Sequence, residues 1–294
     1  MLKYYAYRIA AVLAPLLPKR IGYLLVRAAG TLIYLLATKS RAGAVINARH
    51  ALGKNATQKE IRRTVRRMFV NSATNYFELF RLPKLDLSRV DDVIHVVGYQ
   101  HVQECLDRGQ GIVLVTAHCG NFDVLAQYLA ARGVGLTVPV EPVEPPQLLS
   151  LIRKLRGSKG LSYLPLGPSA LRSMLRALKQ GGVVAITADR DVQKNGRRVR
   201  FFGEETTLPV GYLELVKKSG AALIVALSAR RGDGVIMGYV QPVLDLQNTG
   251  DREGDLDENM AKVVTLLEEH ISTYPDQWVV FEPVWRPSDR ASEQ

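Results

Sequence analysis

The chain has 294 residues, of which 47% are hydrophobic and 23% are charged, and its formal net charge is +11. This length allows one large domain or two small ones, and the balance of apolar and charged residues excludes a disordered chain. The two cysteines, Cys105 and Cys119, are too few for a disulfide framework and are typical of a reducing compartment.

The positive charge is concentrated at the start of the chain. Residues 1–67 hold 14 Lys and Arg and one acidic residue, Glu60, whereas residues 68–294 hold 25 basic and 27 acidic residues. The first segment therefore carries a net charge of +13, and the remainder carries a net charge of −2. The basic character belongs to an N-terminal segment rather than to the chain as a whole.

Residues 3–80 are predicted to be helical, and two apolar runs in this part favour contact with a membrane surface. The run 9–17 is broken by Pro15 and Pro18, and the run 21–38 contains Arg27, which costs roughly 2.5–3.5 kcal/mol at the bilayer centre. Both runs carry tyrosines and flanking basic residues, as interfacial helices do. No signal-peptide cleavage pattern follows, so a removed leader is not expected. The alternative is a pair of buried core helices with charged ends.

From residue 93 onward, extended apolar segments alternate with helical ones. This alternation predicts an α/β fold with a mostly parallel central sheet flanked by helices. We predict an N-terminal, basic, membrane-associating helical segment over residues 1–80, integrated with an α/β domain over residues 81–294. The predicted strands are 93–97, 111–117, 136–140, 161–166, 183–188, 222–228 and 235–243, and the predicted helices are 99–108, 121–132, 146–156, 169–180 and 210–219.

The first polar cluster follows the strand that ends at Ala117. Gly120 permits a sharp turn, and Asn121 is a good N-cap for the next helix. Asp123 then lies in the first helical turn, where it can fold back onto His118, accept from Nδ1–H and leave Nε2 free to take a proton. The pattern predicts a catalytic His118–Asp123 pair. Because His-x4-Asp also arises by chance, a structural histidine at a strand end is the alternative.

Cys119 next to this histidine raises the possibility of a thiol nucleophile. Neighbouring residues on extended chain point to opposite sides, so His118 is poorly placed to activate the thiol. We therefore predict that Cys119 is a small buried residue and that Cys105 packs within a helix.

The second polar cluster follows the strand 183–188 and begins with Asp189, Arg190 and Asp191. A basic loop with a phenylalanine pair comes next: Lys194, Arg197, Arg198, Arg200, Phe201 and Phe202. Such a loop can hold a phosphate or another anion, and the phenylalanines can contact a lipid chain or pack internally. A solvated charged loop with a local ion pair is the alternative.

Two other classes of function remain open on the residues alone. A metal site built from His118, Asp123, Asp189 and Asp191 would suit a metal-dependent hydrolase. The basic N-terminal segment would suit a non-catalytic protein that binds nucleic acid or an anionic membrane. That segment interleaves its charge with aliphatic residues and prolines, and no nucleic-acid-binding motif follows, so we do not expect a nucleic-acid partner.

The segment HCGNFD from His118 to Asp123, preceded by GIVLVTA, resembles the glycerolipid and lipid A acyltransferases. Within that superfamily, the chain looks like the branch of lipid A biosynthesis acyltransferases and mycobacterial phosphatidylinositol mannoside acyltransferases. The likeness extends over nearly the whole chain. It includes the basic stretch 41–53, the helix 151–156, the blocks 189–191, 201–204 and 206–209, and the closing segment from 275 to 285.

This resemblance implies acyl transfer from a thioester, acyl-CoA or acyl carrier protein, to a hydroxyl of a glycolipid or lysophospholipid at the cytoplasmic face of the cell membrane. The general base would be His118 and its orienter Asp123, with no metal, no other cofactor and no acyl-enzyme. The partners implied are the anionic bilayer, the acceptor, the donor and, where it is the donor, acyl carrier protein.

Further residues are assigned to substrate binding by the same resemblance. Arg156 and Asp189 would line the active-site groove, and Asn121 would join them. Glu141 and Arg190 are also assigned to substrate binding, and they mark two departures from the lipid A enzymes. Asp-Arg-Asp at residues 189–191 replaces Asp-Gln-Asp, and Val-Glu-Pro at residues 140–142 replaces a Tyr-Arg pair. Both departures look closer to the mannoside acyltransferase branch.

Overall fold

The computed structural model describes residues 1–285, so residues 286–294 of the predicted α/β domain lie outside the described residues. The helices are α1 (Leu2–Leu13), α2 (Lys19–Leu36), α3 (Thr38–Leu52), α4 (Gln58–Arg81), α5 (Tyr99–Asp107), α6 (Phe122–Ala131), α7 (Pro146–Arg156), α8 (Pro168–Lys179), α9 (Gly211–Ser219) and α10 (Arg252–Thr273). The strands are β1 (Ile94–Val97), β2 (Ile112–Thr116), β3 (Leu136–Val140), β4 (Ser162–Pro165), β5 (Val183–Thr187), β6 (Arg197–Phe201), β7 (Glu204–Leu208), β8 (Ala222–Arg230) and β9 (Ile236–Val240).

The central sheet has seven strands in the order β1-β9-β8-β2-β5-β3-β4. Strands β8, β2, β5, β3 and β4 run parallel to one another, whereas β9 is antiparallel to β8 and parallel to β1. The predicted α/β class and the mostly parallel sheet are thus confirmed. The carboxyl ends of the five parallel strands share one edge, where ligands bind in such folds.

Strand β2 is buried on both faces, which explains its continuous apolar sequence. Ile112 and Leu114 belong to one core cluster, and the alternating residues Val113 and Val115 belong to the other. The first cluster also contains Phe77 of the N-terminal helices. Strand β2, which leads to the first polar cluster, therefore contributes side chains to both core clusters.

The segment predicted as a basic loop is instead a β-hairpin, in which β6 pairs antiparallel with β7. Phe201 is fully buried in the hairpin and stacks against Trp285, with ring centroids 5.6 Å apart. Arg197 is paired at 2.6 Å with Glu253 and at 2.5 Å with Asp257 of α10, a helix that the sequence analysis does not assign. The charged segment is therefore a strand because Phe201 is buried and because Arg197 pairs with acidic residues of α10.

Helix α2 packs on α4 through glycines. A Cβ atom at Gly30 of α2 would lie 2.7 Å from the Cα of Val70, so the two backbones are in direct contact. A Cβ atom at Gly22 would lie 2.1 Å from the Phe77 ring. This close approach holds α2 firmly against α4 and leaves its other face outward.

The outward faces of α1 and α2 are apolar. Leu24 and Leu36 of α2 are 69% and 72% exposed, and Ile9 and Leu16 at the start of the chain are 58% and 67% exposed. Within residues 1–285, no helix taken singly has the length and hydropathy of a membrane span, although α2 and α3 meet that measure together across a bend of 96°.

Candidate active site

The turn between β2 and α6 carries the first polar cluster, and its sequence explains its shape. Gly120 has φ +65°, and a Cβ atom there would lie 2.1 Å from the carbonyl oxygen of Ser228, so glycine is required on both counts. Asn121 caps α6 as predicted, because its Oδ1 accepts from the backbone N–H of Val124 at 3.1 Å. We call residues 118–123 the catalytic turn, after the role that the sequence predicts for them.

His118 is bound by Asp189, which follows the neighbouring strand β5. The Nδ1 of His118 lies 2.8 Å from Oδ1 of Asp189, and the backbone N–H of His118 donates to Oδ2 at 3.0 Å. Strands β2 and β5 pair in register, with Thr116 opposite Thr187, so the residues two positions beyond each strand also face each other. Sheet pairing therefore brings together two side chains that are 71 residues apart.

The environment of Asp189 keeps its carboxylate ionised. Full burial raises the pKa of this carboxyl, but His118 and the indole N–H of Trp278, which donates at 2.7 Å, outweigh burial and lower the pKa to about 2. A carboxylate that accepts from Nδ1–H fixes the tautomer of the imidazole. Within residues 1–285, the other ring nitrogen, Nε2, has no hydrogen-bond partner, and the side chain is 20% exposed.

The predicted contact between Asp123 and His118 is not formed. Asp123 is buried and instead pairs with Arg156 at the end of α7, with Oδ1 2.8 Å from Nε and Oδ2 accepting from Nη2 at 3.1 Å. The reason is that α6 begins at Phe122, whose ring lies edge-on to the imidazole at 5.8 Å, while Asp123 points to the next helix. The Arg156 guanidinium lies 5.4 Å from the centre of the same Phe122 ring.

Arg156 is held in its charged form by the neighbouring Asp123. Burial lowers the pKa of the Arg156 guanidinium, but the adjacent Asp123 carboxylate more than offsets this effect, so the pKa is raised. Nearby, burial and the charge of Asp123 also raise the pKa of Tyr163. Tyr163 and Arg156 therefore remain protonated beside the catalytic turn.

Asn121 is 2% exposed, and both polar groups of its side chain are bonded within the protein. Its Oδ1 caps α6, and its Nδ2 donates to Oε2 of Glu78 on α4. Each of its two polar groups therefore has a partner within the protein, and the side chain is almost closed to solvent. These bonds give Asn121 a structural role in the turn.

The predicted residues Glu141 and Arg190 form an ion pair with each other. Arg190 donates to the Glu141 carboxylate at 2.7 Å, and it lies 3.8 Å from a carboxylate oxygen of Glu282. The two residues follow β3 and β5, so they bridge neighbouring strand ends beside Asp189. Each side chain is about a quarter exposed, at 28% for Glu141 and 25% for Arg190, and so remains accessible from solvent.

The four residues of the hypothetical metal site do not converge. His118 pairs with Asp189, whereas Asp123 pairs with Arg156, and Asp191 accepts from the backbone N–H of Gly196 at 2.8 Å. Across the described residues 1–285, no group of three or more His, Cys, Asp or Glu side chains has the geometry of a metal site. Of the proposed metal ligands, Asp123 thus binds an arginine and Asp191 binds the backbone at the start of the hairpin.

Cys119 is fully buried, as predicted, and so is Cys105. Burial first, and then the charges of Asp189 and Asp276, raise the pKa of the Cys119 thiol. Its Sγ lies 3.8 Å from the carbonyl oxygen of Tyr274. A protonated, enclosed thiol is a poor nucleophile.

Three residues of the site were missed from sequence. Trp278 donates to Asp189, and Asn75 and Glu78 of α4 bond the backbone of Gly120 and the side chain of Asn121. Trp278 lies in the closing segment on which the resemblance partly rests, and this was a usable signal. Asn75 and Glu78 lie in an unremarkable amphipathic helix and carry no local signal.

Comparison with known proteins identifies the family. The family model described as bacterial lipid A biosynthesis acyltransferase matches residues 1–287. The phosphatidylinositol mannoside acyltransferase of Mycolicibacterium smegmatis is 30% identical over 224 residues, which cover 75% of this chain and 72% of that protein. Its counterpart in Mycobacterium tuberculosis (strain ATCC 25618 / H37Rv) is 31% identical over 215 residues, covering 71% of this chain and 66% of that protein.

A lipid A enzyme is also similar. The lipid A biosynthesis lauroyltransferase of Escherichia coli (strain K12) is 26% identical over 188 residues, covering 63% of this chain and 59% of that protein. The family model spans the helical N-terminal segment, the strand ends that carry His118 and Asp189, and the helix that carries Asp123. The chain therefore belongs to the bacterial lipid A biosynthesis acyltransferase family, and it is an acyltransferase.

Proposed function

We propose that the protein transfers a fatty acyl group from a thioester, acyl-CoA or acyl carrier protein, to a hydroxyl of a glycolipid or lysophospholipid. The observation that carries this proposal is the His118–Asp189 pair, joined at 2.8 Å where two neighbouring parallel strands end. The acceptor class is supported by the names of the relatives, which act on phosphatidylinositol mannoside or belong to lipid A biosynthesis.

His118 is the general base of this mechanism. With Nδ1–H held by Asp189, Nε2 takes the proton of the acceptor hydroxyl as its oxygen attacks the thioester carbonyl. The carbon–sulfur bond of the tetrahedral intermediate then breaks, and the proton on Nε2 passes to the leaving thiolate. Asp189 orients the ring and stabilises the imidazolium without itself taking the proton, consistent with its low pKa.

The donor is already activated, so the reaction needs positioning and charge stabilisation rather than a covalent nucleophile. The neighbouring thiol of Cys119 is buried and protonated, which argues against an acyl-cysteine intermediate. The positive end of α6 begins at Phe122, close to the histidine, and favours the negative charge that develops on the thioester oxygen.

Arg156 and Asp123 serve substrate positioning in this proposal. Asp123 holds the guanidinium by two of its nitrogens, which fixes a positive charge beside the catalytic turn. Arg190 and Glu141 border the same edge of the sheet and contribute polar contacts to the acceptor. Asn121 positions the turn and does not touch substrate.

The N-terminal helices bring the site to its lipid acceptor. Their outward apolar faces, with Leu24 at 69% and Leu36 at 72% exposure, lie in a segment of net charge +13. Apolar burial together with attraction to anionic lipids produces peripheral binding. We place the enzyme at the cytoplasmic face of the cell membrane, where thioester donors are available.

The test is a direct assay of the purified full chain. Acyl-CoA and acyl carrier protein are offered separately as donors with mannosylated phosphatidylinositol, a lipid A precursor or lysophospholipid in mixed micelles, and products are identified by mass spectrometry. The comparison is His118→Ala with His95→Ala, which removes an exposed histidine on β1. We expect product from wild type and His95→Ala but none from His118→Ala; equal turnover by both variants would refute the base assignment.

A further inference from the structure

Helix α4 supports the catalytic turn from behind with two side chains. The Nδ2 of Asn75 donates to the carbonyl oxygen of Gly120 at 2.6 Å, and Oε2 of Glu78 accepts from Nδ2 of Asn121 at 2.5 Å. Residues three apart share one face of a helix, so a single face of α4 holds two consecutive residues of the turn. The turn that carries His118 therefore depends on where α4 lies.

The Glu78 carboxylate accepts hydrogen bonds from three separate elements. Oε1 accepts from the hydroxyl of Tyr23 on α2 at 2.7 Å, and Oε2 accepts both from Asn121 and from Nη2 of Arg230 at the end of β8 at 2.5 Å. The carboxylate is 12% exposed and the Arg230 side chain 18%, so the contacts are largely shielded from water. Charge-assisted hydrogen bonds in such surroundings are strong and directional.

Tyr23 is a reliable donor in this cluster. Burial, followed by the adjacent Glu78 carboxylate, raises the pKa of its phenol, so the hydroxyl keeps its proton. Tyr23 lies on α2 next to Gly22, at the point where α2 packs directly on the ring of Phe77. One residue further along, Leu24 is 69% exposed on the outward apolar face.

We propose that Glu78 is a positioning residue that couples the seating of α2 to the geometry of the catalytic turn. This inference rests on the proposed function of that turn in acyl transfer. A shift of α2 changes the Tyr23–Glu78 bond, and through Asn121 it changes the turn that presents His118 to substrate. The N-terminal helices thus regulate the catalytic turn as well as attach the enzyme to lipid.

The test compares two identical substitutions on one helix. Tyr23→Phe removes the hydroxyl that bonds Glu78. Tyr34→Phe is the matched control, because Tyr34 also faces α4, with its ring 5.8 Å from that of Phe69, eleven residues beyond the tyrosine that bonds Glu78. Hydrogen exchange of peptides covering residues 118–125 and steady-state kinetics are measured on both full-length variants.

We expect Tyr23→Phe to speed exchange in the catalytic turn about 10-fold and to lower kcat about 10-fold with KM for the donor unchanged, since small misplacements of a catalytic group cost rate. Tyr34→Phe stays at wild-type values. Equal exchange and equal kcat in the two variants overturn the inference. If wild-type protein shows no acyl transfer, the proposed function is refuted instead. The hydrogen-exchange rates then still test whether Tyr23 is coupled to the catalytic turn.

A second comparison distinguishes coupling from general loosening. Glu78→Gln keeps the shape of the side chain but removes its charge, and we expect a similar loss of kcat. Because Tyr23 acts through Glu78, adding Tyr23→Phe to Glu78→Gln costs less activity than Tyr23→Phe costs in wild type. If the fold-losses in kcat of the two single variants multiply in the double variant, the coupling is contradicted. A wild-type kcat in the Glu78→Gln variant contradicts it as well.

Discussion

Asp189 receives both the ring nitrogen Nδ1 and the backbone N–H of His118, at 2.8 Å and 3.0 Å, and is itself completely buried. The carboxylate therefore fixes the ring and the end of the strand that carries it at the same time. If His118 is the base, as we propose, its ring is oriented before substrate arrives, which lowers the cost of reaching the reactive geometry.

Replacing the base should remove activity and leave the fold. His118→Ala removes a partly exposed side chain that fills little core volume, so we expect activity to fall at least ~1,000-fold with a melting temperature near that of wild type. Steady-state rates and thermal unfolding measure the two effects. A large loss of melting temperature would show that the histidine is structural.

Asp189→Asn should lower kcat/KM roughly 100-fold or more, because a neutral amide no longer stabilises the imidazolium or selects its tautomer. The indole of Trp278 retains an oxygen acceptor in this variant. The measurement is the rate for wild type, Asp189→Asn and Asp91→Asn, the last of which changes an exposed aspartate paired with Arg132. A rate for Asp189→Asn as high as that of Asp91→Asn contradicts the pairing role.

The low pKa of Asp189 also predicts how stability depends on pH. The pKa is lowered from 3.8 to about 2 in the folded chain, so the ionised carboxylate stabilises the fold above pH 4, and this contribution disappears as the pH falls towards 2. Its size is on the order of 2 kcal/mol. Urea unfolding between pH 2 and 5 should show a flatter dependence for Asp189→Asn than for wild type, while Asp91→Asn keeps the wild-type slope.

Asp123→Asn should differ from His118→Ala by destabilising the protein. The substitution leaves the enclosed Arg156 guanidinium without its carboxylate, and breaking such a pair costs about 3 kcal/mol. We expect a fall in melting temperature of roughly 5–10 °C together with reduced activity. Calorimetry of Asp123→Asn, Arg156→Gln and the double variant tests whether the lost ion pair causes the destabilisation. If the two single losses of stability add fully in the double variant, the two residues act independently.

Neither cysteine should react in the folded protein. Both thiols are buried, so a thiol reagent at pH 8 should titrate none in native protein and two after denaturation. Cys119→Ala should keep its turnover and lose about 1–2 kcal/mol of stability from the small cavity. If Cys119→Ala loses turnover while its fold stays intact, the thiol would have to be considered as the nucleophile.

Binding to anionic vesicles should weaken with salt but not vanish. The Debye length falls from about 10 Å at 0.1 M to about 3 Å at 1 M, which screens the basic segment and leaves apolar anchoring. Leu24→Asp and Leu36→Asp should each weaken binding roughly 10-fold, since each removes a leucine from the bilayer. Co-sedimentation is compared with Val97→Asp, which changes a residue 59% exposed on β1. Equal, salt-independent binding by all variants contradicts interfacial attachment.

Local sequence determined the catalytic turn. A buried strand, Gly120 at a positive φ and Asn121 as an N-cap are short-range features, and the structure has each where the sequence analysis predicts it. The alternation of strands and helices likewise predicted the α/β class, because hydrophobic periodicity depends on neighbouring residues. The outward apolar faces of α1 and α2 correspond to the two runs that sequence singled out.

Tertiary structure decided which acid serves the histidine. Asp123 is five residues from His118, and this short distance along the chain predicts it as the partner, yet Asp189 occupies that position because β5 lies beside β2 in the sheet. Strand order arises from packing over the whole domain, so no short pattern reveals it. For the same reason, the ion pair of Asp123 with Arg156, the hairpin built around Phe201, and the contacts of Glu78 with three distant elements became visible only in the folded chain.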